Sequence, residues 1–331
     1  MIRLAPIPLL LIVSIALAQA PSAPSPIAKD TLPANLLRDE MPLGFKKPNA
    51  PLDNSTTPEK VALGRMLFFD PILSGDKTVA CASCHHPEKN FAGNEARPRG
   101  IRGTPTKRKA PALINRAFGT SFFWDGRSAS LEEQVLLPIQ DPDEMGAKLP
   151  DVVDRLKSDA NYKAKFVGAF PDGVTKDNLA KALAAFLRAL VRGDSPADKF
   201  MQRGERSALT PEQIHGVWLY ESKGMCWKCH SGQNFTDDVA RNTGVSWGHG
   251  DLGRFAITKK DGDQGRFKTP TLRGVALSGP FMHDGSLKTL EEVIEFYNKG
   301  GTPNAHLDSS IKPLGLTKEE KSALVEFLKA L

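Results

Sequence analysis

The sequence contains few of the signals that would place it in a familiar structural class. Its 331 residues include only four cysteines, too few for a disulfide scaffold once their local pattern is considered. Alternating apolar and polar runs are scarce, which points away from a β architecture and leaves a mostly α chain. No βαβ pattern surrounds either cysteine pair, which removes a thioredoxin-like reading. There is no basic stripe interleaved with aromatics, so the net charge of +6 does not imply nucleic acid. A solvated basic surface, or a docking face for an acidic protein partner, accounts for that charge. The one sizeable apolar run, Leu9–Ile15, is too short for a comfortable membrane span.

What the sequence does contain is one pentapeptide twice. Cys81-Ala82-Ser83-Cys84-His85 and Cys226-Trp227-Lys228-Cys229-His230 both read C-x-x-C-H, the attachment signature of c-type haem. Two thiols at this spacing can add to the two vinyl groups of one porphyrin, and the adjacent imidazole reaches the iron. A zinc site would need both pairs to close on one metal, and the pairs stand in opposite halves of the chain. The expectation is two covalently bound haems, one on Cys81, Cys84 and His85 and the other on Cys226, Cys229 and His230. All four cysteines are then used.

Residues 1–18 read as a secretory signal, with Arg3 before the apolar run and an Ala16-Leu17-Ala18 cleavage site. Export agrees with haem attachment outside the cytoplasm and, in a bacterium, implies the periplasm. Residues 19–55 are rich in Pro and Ala, a linker or irregular arm. Order is expected from Thr57-Pro58-Glu59, an N-cap with proline at the first helical position. Ser130 with Glu133, Thr210 with Gln213, Thr289 with Glu292 and Thr317 with Glu320 have capping-box spacing. Thr175 starts a helix with Leu179, Leu183, Phe186, Leu187 and Leu190 on one face. Six basic residues fall between Arg97 and Lys109; they form either a solvated loop or a site for neutralising haem propionates or docking a partner. A Gly-, Pro- and charge-rich stretch near Gly193–Ser207 suggests a boundary between a domain at 56–195 and a second at 196–331.

The repeat extends beyond the haem motifs. Setting Pro111 on Pro270 brings Asp125-Gly126 onto Asp284-Gly285 and Leu131-Glu132-Glu133 onto Leu290-Glu291-Glu292. Each half reads as a cytochrome c-like unit: haem motif, loop, Asp-Gly turn, capped helix. The same alignment sets Pro138 against Tyr297. A tyrosine can ligate iron through oxygen, whereas proline cannot; Tyr297 is equally readable as a core tyrosine, and Met66, Met145, Met225 and Met282 are rival ligands. The first haem is therefore expected to keep an open distal face and the second to be six-coordinate. Gln134 and Glu144 lie near the open site in sequence, and a carboxylate there would serve peroxide cleavage as acid and base, unless Glu144 is a surface loop acid. Trp124 is either an aromatic relay between haems or a core tryptophan.

These residues resemble the bacterial di-haem cytochrome c peroxidase family, and within it the MauG-like branch. The resemblance runs from about Leu63 to Leu331. It rests on Leu63-Gly64-Arg65-Met66-Leu67-Phe68, Phe123-Trp124-Asp125-Gly126-Arg127, Gln134, Pro142-Asp143-Glu144-Met145, Lys268-Thr269-Pro270-Thr271-Leu272-Arg273 and Met282-His283-Asp284-Gly285-Ser286. It implies Glu144 as distal acid–base, Gln134 as distal amide, Trp124 as the tryptophan between the haems and Tyr297 as axial ligand of the second iron. Residues 87–110 contain no histidine, so the first haem is expected open without prior reduction. Lys109 stands where the family often has an asparagine supporting calcium, which argues against that ion without closing the question, since carbonyls near Ser278 and Pro280 remain.

The function implied is a periplasmic oxidoreductase that uses hydrogen peroxide at the open haem to oxidise a protein partner, in a MauG-like modification of side chains. The alternatives are a cytochrome c peroxidase fed by a small cytochrome or cupredoxin, and a non-enzymatic di-haem carrier. No membrane span is expected after signal cleavage, and a homodimer is among the expectations.

Overall fold

Two helix crossings organise the structure, and a glycine sets each. In the computed structural model, which describes residues 23–48 and 50–331, α1 (Pro58–Phe69) lies across α6 (Lys176–Ala189) with Gly64 at the contact. A Cβ on Gly64 would run into the Ala182 carbonyl and the Phe186 side chain. In the second half, α8 (Pro211–Glu221) lies across α11 (Lys318–Lys329) in the same way. A Cβ on Gly216 would meet the Ala323 carbonyl and Phe327. One turn beyond each glycine an aromatic packs on its partner helix, Phe68 on Phe186 with ring centroids 5.1 Å apart and Tyr220 on Phe327 at 5.2 Å. The repeat seen in sequence thus extends into the packing.

Between these helices run α2 (Leu131–Gln134), α3 (Leu137–Gln140), α4 (Leu149–Ser158), α5 (Ala160–Ala169) and α7 (Pro196–Arg203). Later come α9 (Phe255–Thr258) and α10 (Leu290–Asn298). The only sheet among the described residues pairs β1 (Ala240–Arg241) with β2 (Phe267–Lys268), antiparallel, Ala240 opposite Lys268. The expected caps are present at Thr57, Thr175, Thr210, Thr289 and Thr317. At Ser130 the hydroxyl accepts from Glu133 N–H, but the Glu133 carboxylate reaches past the cap to Ala129 N–H at 2.9 Å. No helix among the described residues is long and apolar enough to cross a membrane.

Buried apolar side chains gather in two clusters, one drawn from Val61 to Leu190 and the other from Ala197 to Leu331. The stretch read as a boundary is not an open linker. It contains α7, whose Ser195 and Asp198 form a reciprocal capping box, and Asp198 accepts a 2.5 Å bond from the buried Arg273. The described part of the N-terminal arm is irregular and is fastened to the body. Arg65 donates to Asp30 at 2.7 Å and to the Pro33 carbonyl at 2.6 Å. Leu43 N–H donates to Asp194 at 2.7 Å, and Phe45 is buried against Phe118. The signal segment at 1–18 lies outside the described residues.

Both crossings lack room for one carbon, and overpacking of this kind costs about 1–3 kcal/mol. Gly64→Ala and Gly216→Ala are each expected to lower the midpoint of thermal unfolding, read by circular dichroism. An unchanged midpoint in both would show that the helices separate without cost.

Candidate functional sites: two histidine cavities and the bridge between them

Each C-x-x-C-H motif folds as a tight 3₁₀ turn, Cys81–Ser83 in one half and Cys226–Lys228 in the other. The turn closes through the first cysteine carbonyl, which accepts from His85 N–H at 3.0 Å and, in the second copy, from His230 N–H at 2.9 Å. Both imidazoles are then fixed by one more bond. His85 Nδ1 lies 2.7 Å from the Phe91 carbonyl and His230 Nδ1 lies 3.1 Å from the Phe235 carbonyl. A carbonyl only accepts, so Nδ1 carries the proton and the lone pair is left on Nε2. Burial holds both histidines down at about 4, so both imidazoles are neutral near neutral pH. Phe91 and Phe235 have φ of +57° and +47°, a conformation that costs a bulky residue energy. Their rings pay it back in contact, Phe91 on Phe68 and Phe235 on Tyr220.

Each histidine opens onto a cavity. The first, of ≈ 490 Å³, is lined by Cys84, His85, Trp124, Gln134, Pro138 and Glu144, among others. The second, of ≈ 220 Å³, is lined by Cys226, Cys229, His230, His283 and Tyr297. No disulfide joins any of the four cysteines. Burial raises the Cys81 and Cys226 thiols to about 12. A cysteine pair, an imidazole with Nε2 free and a cavity at each motif fit a c-type haem, and among the described residues no group of three or more His, Cys, Asp or Glu side chains is placed to hold a bare metal ion.

The two cavities differ in the side chains that line them. In the first half Pro138 interrupts the helix, splitting it into α2 and α3, because it has no N–H for the Gln134 carbonyl. The corresponding α10 runs unbroken and carries Tyr297 to the second cavity. Burial raises the Tyr297 phenol to about 12, against a hydrogen bond with Thr243 that lowers it. Glu144 is raised to about 7, first by burial and then by Asp141, with Arg127 opposing. It is half-buried on the wall of the first cavity. Its loop is anchored where Ile101 N–H donates to the Glu144 carbonyl at 2.8 Å. Of the rival sulfur ligands, Met66 and Met145 belong to the first apolar cluster, while Met225 and Met282 line the second cavity.

Trp124 lines both cavities. Its indole N–H donates to the Lys109 carbonyl at 2.8 Å, and its ring meets His283 edge-on at 6.4 Å. His283 in turn stacks on Phe267, centroids 3.5 Å apart. Trp124 and His283 occupy matching positions in the repeat. Lys109, Ser278 and Pro280, the positions weighed for calcium, all line the first cavity.

Of the six basic residues from Arg97 to Lys109, Arg97, Arg102 and Lys107 are exposed. Arg108 donates to Asp251 at 2.7 Å and to the buried Asp125 at 2.6 Å, and Arg127 donates to the same Asp125 at 2.8 Å. Arg116 and Lys268 share Asp238 at 3.2 and 2.9 Å. Reasoning from sequence did not single out Asp125 or Asp238 as ion-pair centres, although the repeated Asp-Gly pointed to the first.

This arrangement has known counterparts. A sequence profile of the family described as di-haem cytochrome c peroxidase matches residues 58–206. The methylamine utilization protein MauG of Methylorubrum extorquens is 40% identical over 294 residues, covering 87% of this chain and 83% of that protein. The chain belongs to the di-haem cytochrome c peroxidase family. The cytochrome c peroxidase Ccp of Escherichia coli is another relative, 33% identical and covering 81% of this chain and 57% of that protein. Among solved structures, a MauG-like protein associated with microbial copper homeostasis superposes with TM-score 0.83 at 32% identity, covering 89% of this chain and 95% of that one. The diheme peroxidase BthA from Burkholderia thailandensis does so with TM-score 0.74 at 25% identity, covering 84% and 87%. The chain is thus a peroxidase-family oxidoreductase with the mostly helical fold of that family.

Removing the buried Asp125 would leave Arg127 without a carboxylate and Arg108 with Asp251 alone, and breaking a buried ion pair from one side costs about 3–5 kcal/mol. Asp125→Ala is therefore expected to unfold at markedly lower denaturant. A loss below about 1 kcal/mol would mean that water replaces the carboxylate, the ordinary level for an exposed pair.

Proposed function

We propose that this protein is a MauG-like enzyme of the periplasm that uses hydrogen peroxide at its first histidine cavity to oxidise a side chain of a protein partner. The observation that carries the reading is the unlike pair of cavities. One is lined by a carboxyl raised to about 7 and a proline, the other by a tyrosine at the position that matches the proline. On this reading each half, 56–195 and 196–331, is a cytochrome c-like domain. Cys81, Cys84 and His85 would hold one haem and Cys226, Cys229 and His230 the other, with the Tyr297 phenol available to the second iron.

The haems, when bound, supply the two electrons that split the O–O bond. The chain's own part is proton handling and positioning. Glu144, as carboxylate, takes the proton from one peroxide oxygen and returns it to the other, which leaves as water. Gln134 offers its amide to orient the peroxide. Trp124, lining both cavities, passes the oxidising equivalent toward the Tyr297 side. A hard phenolic oxygen favours a higher oxidation state of iron than a thioether does, which supports modification of a partner over simple peroxide removal. The 33% identity to a cytochrome c peroxidase supports the second reading, electron supply from a small cytochrome or cupredoxin.

Because Glu144 acts first as a base, its raised value of about 7 makes the peroxide reaction faster as pH rises through that range. Glu144→Gln is expected to lose about 10²–10⁴ in peroxide-dependent rate, together with the pH dependence, while keeping both haems. A variant with wild-type turnover would remove Glu144 from the reaction. Tyr297→Phe is expected to change the ferric spectrum of the second haem alone; an unaltered spectrum would make Met225 or Met282 the ligand instead.

A further inference from the structure

The cations along the first cavity are nearly all matched to carboxylates. Arg108 and Arg127 meet Asp125, Arg116 and Lys268 meet Asp238, and Lys107 is exposed. Lys109 differs from them. It is 4% exposed, lines the cavity, and has no carboxylate partner among the described residues. The only acceptor its Nζ reaches there is the Ala110 carbonyl, at 3.4 Å, too long for a strong bond. An ammonium buried without a counter-anion is strongly unfavourable. Nor can the side chain swing to solvent at little cost, because the backbone is pinned on both sides. Lys109 N–H donates to the His283 carbonyl at 2.8 Å and its own carbonyl accepts from Trp124 at 2.8 Å.

We infer that Lys109 is a fixed countercharge for an anionic group of the prosthetic group at His85, a haem propionate, and that it sets the reduction potential of that site. The inference rests on the haem reading of the Cys81-Cys84-His85 motif but not on the peroxide chemistry. A positive charge held beside a haem in a poorly solvated cavity favours the reduced iron, which carries one positive charge less. The same residue clamps Trp124 and His283, so the element that carries the charge also holds the aromatic pair between the cavities.

The test is a spectroelectrochemical titration of the purified holoprotein and its variants, with haem content checked first by the pyridine haemochrome spectrum. Lys109→Met is expected to move the potential of the His85 haem to more negative values, with the His230 haem moved less. Lys109→Arg is expected to restore it. If the methionine variant does not fold, Lys109→Gln, which keeps a donor but no charge, must show the same negative shift. An unchanged potential in the neutral variant, or equal shifts at both haems, would overturn the inference. A wild-type potential that depends on added inorganic phosphate would also overturn it, by making the partner a free anion. Peroxide turnover plays no part in these readings, so a failure of the peroxidase reading would leave them intact. Absence of two c-type haems per chain would instead remove the haem reading on which the inference stands.

Discussion

Both halves depend on one hydrogen bond, donated by a histidine Nδ1–H to the carbonyl of a phenylalanine bent into the left-handed region. It decides which imidazole nitrogen is free, and so what His85 and His230 can bind. The bond survives because the phenylalanine ring is wedged beside a helix crossing, with Phe91 against Phe68 and Phe186, and Phe235 against Tyr220. That wedge in turn needs the helices to approach as closely as Gly64 and Gly216 allow. A backbone strain of about 1–3 kcal/mol at each phenylalanine is offset by contact area that a looser crossing would not provide.

On that common frame the two copies diverge through a few side chains. Pro138 breaks the first capped helix where α10 continues, and the break leaves the first cavity with Gln134 and Glu144 on its wall and no metal-binding side chain at the proline. Two corresponding elements thus present different chemistry, because proline offers no side-chain donor where the second copy carries a phenol. The contact between the halves is polar and specific. Asn90 donates to the Gly274 carbonyl at 2.6 Å, Lys268 N–H to the Trp124 carbonyl at 2.6 Å, and Arg108 bridges Asp125 and Asp251.

The parts of this arrangement governed by local rules were legible in the sequence. The haem motifs, the threonine caps and the apolar face of α6 are patterns of short range, and the Pro138–Tyr297 difference followed from aligning the two copies. Residues whose role is set by packing across long separations were not legible. Nothing near Phe91 or Phe235 announces a left-handed turn, since that conformation is imposed by rings from other helices. The arm was ambiguous because its order comes from Arg65, Asp194 and Phe118, all distant in sequence. The basic run ending at Lys109 stayed ambiguous for the same reason: its members differ only in which carboxylate the fold brings to each. α7 was missed because its Ser195–Asp198 box uses aspartate, where the other boxes use glutamate or glutamine.

The central claim is that two like histidine motifs face unlike distal sides. Low-temperature electron paramagnetic resonance of the ferric protein tests it most directly. The account predicts one high-spin and one low-spin haem in equal amounts, with hydrogen peroxide abolishing the high-spin signal first. Two low-spin signals indifferent to peroxide would contradict it.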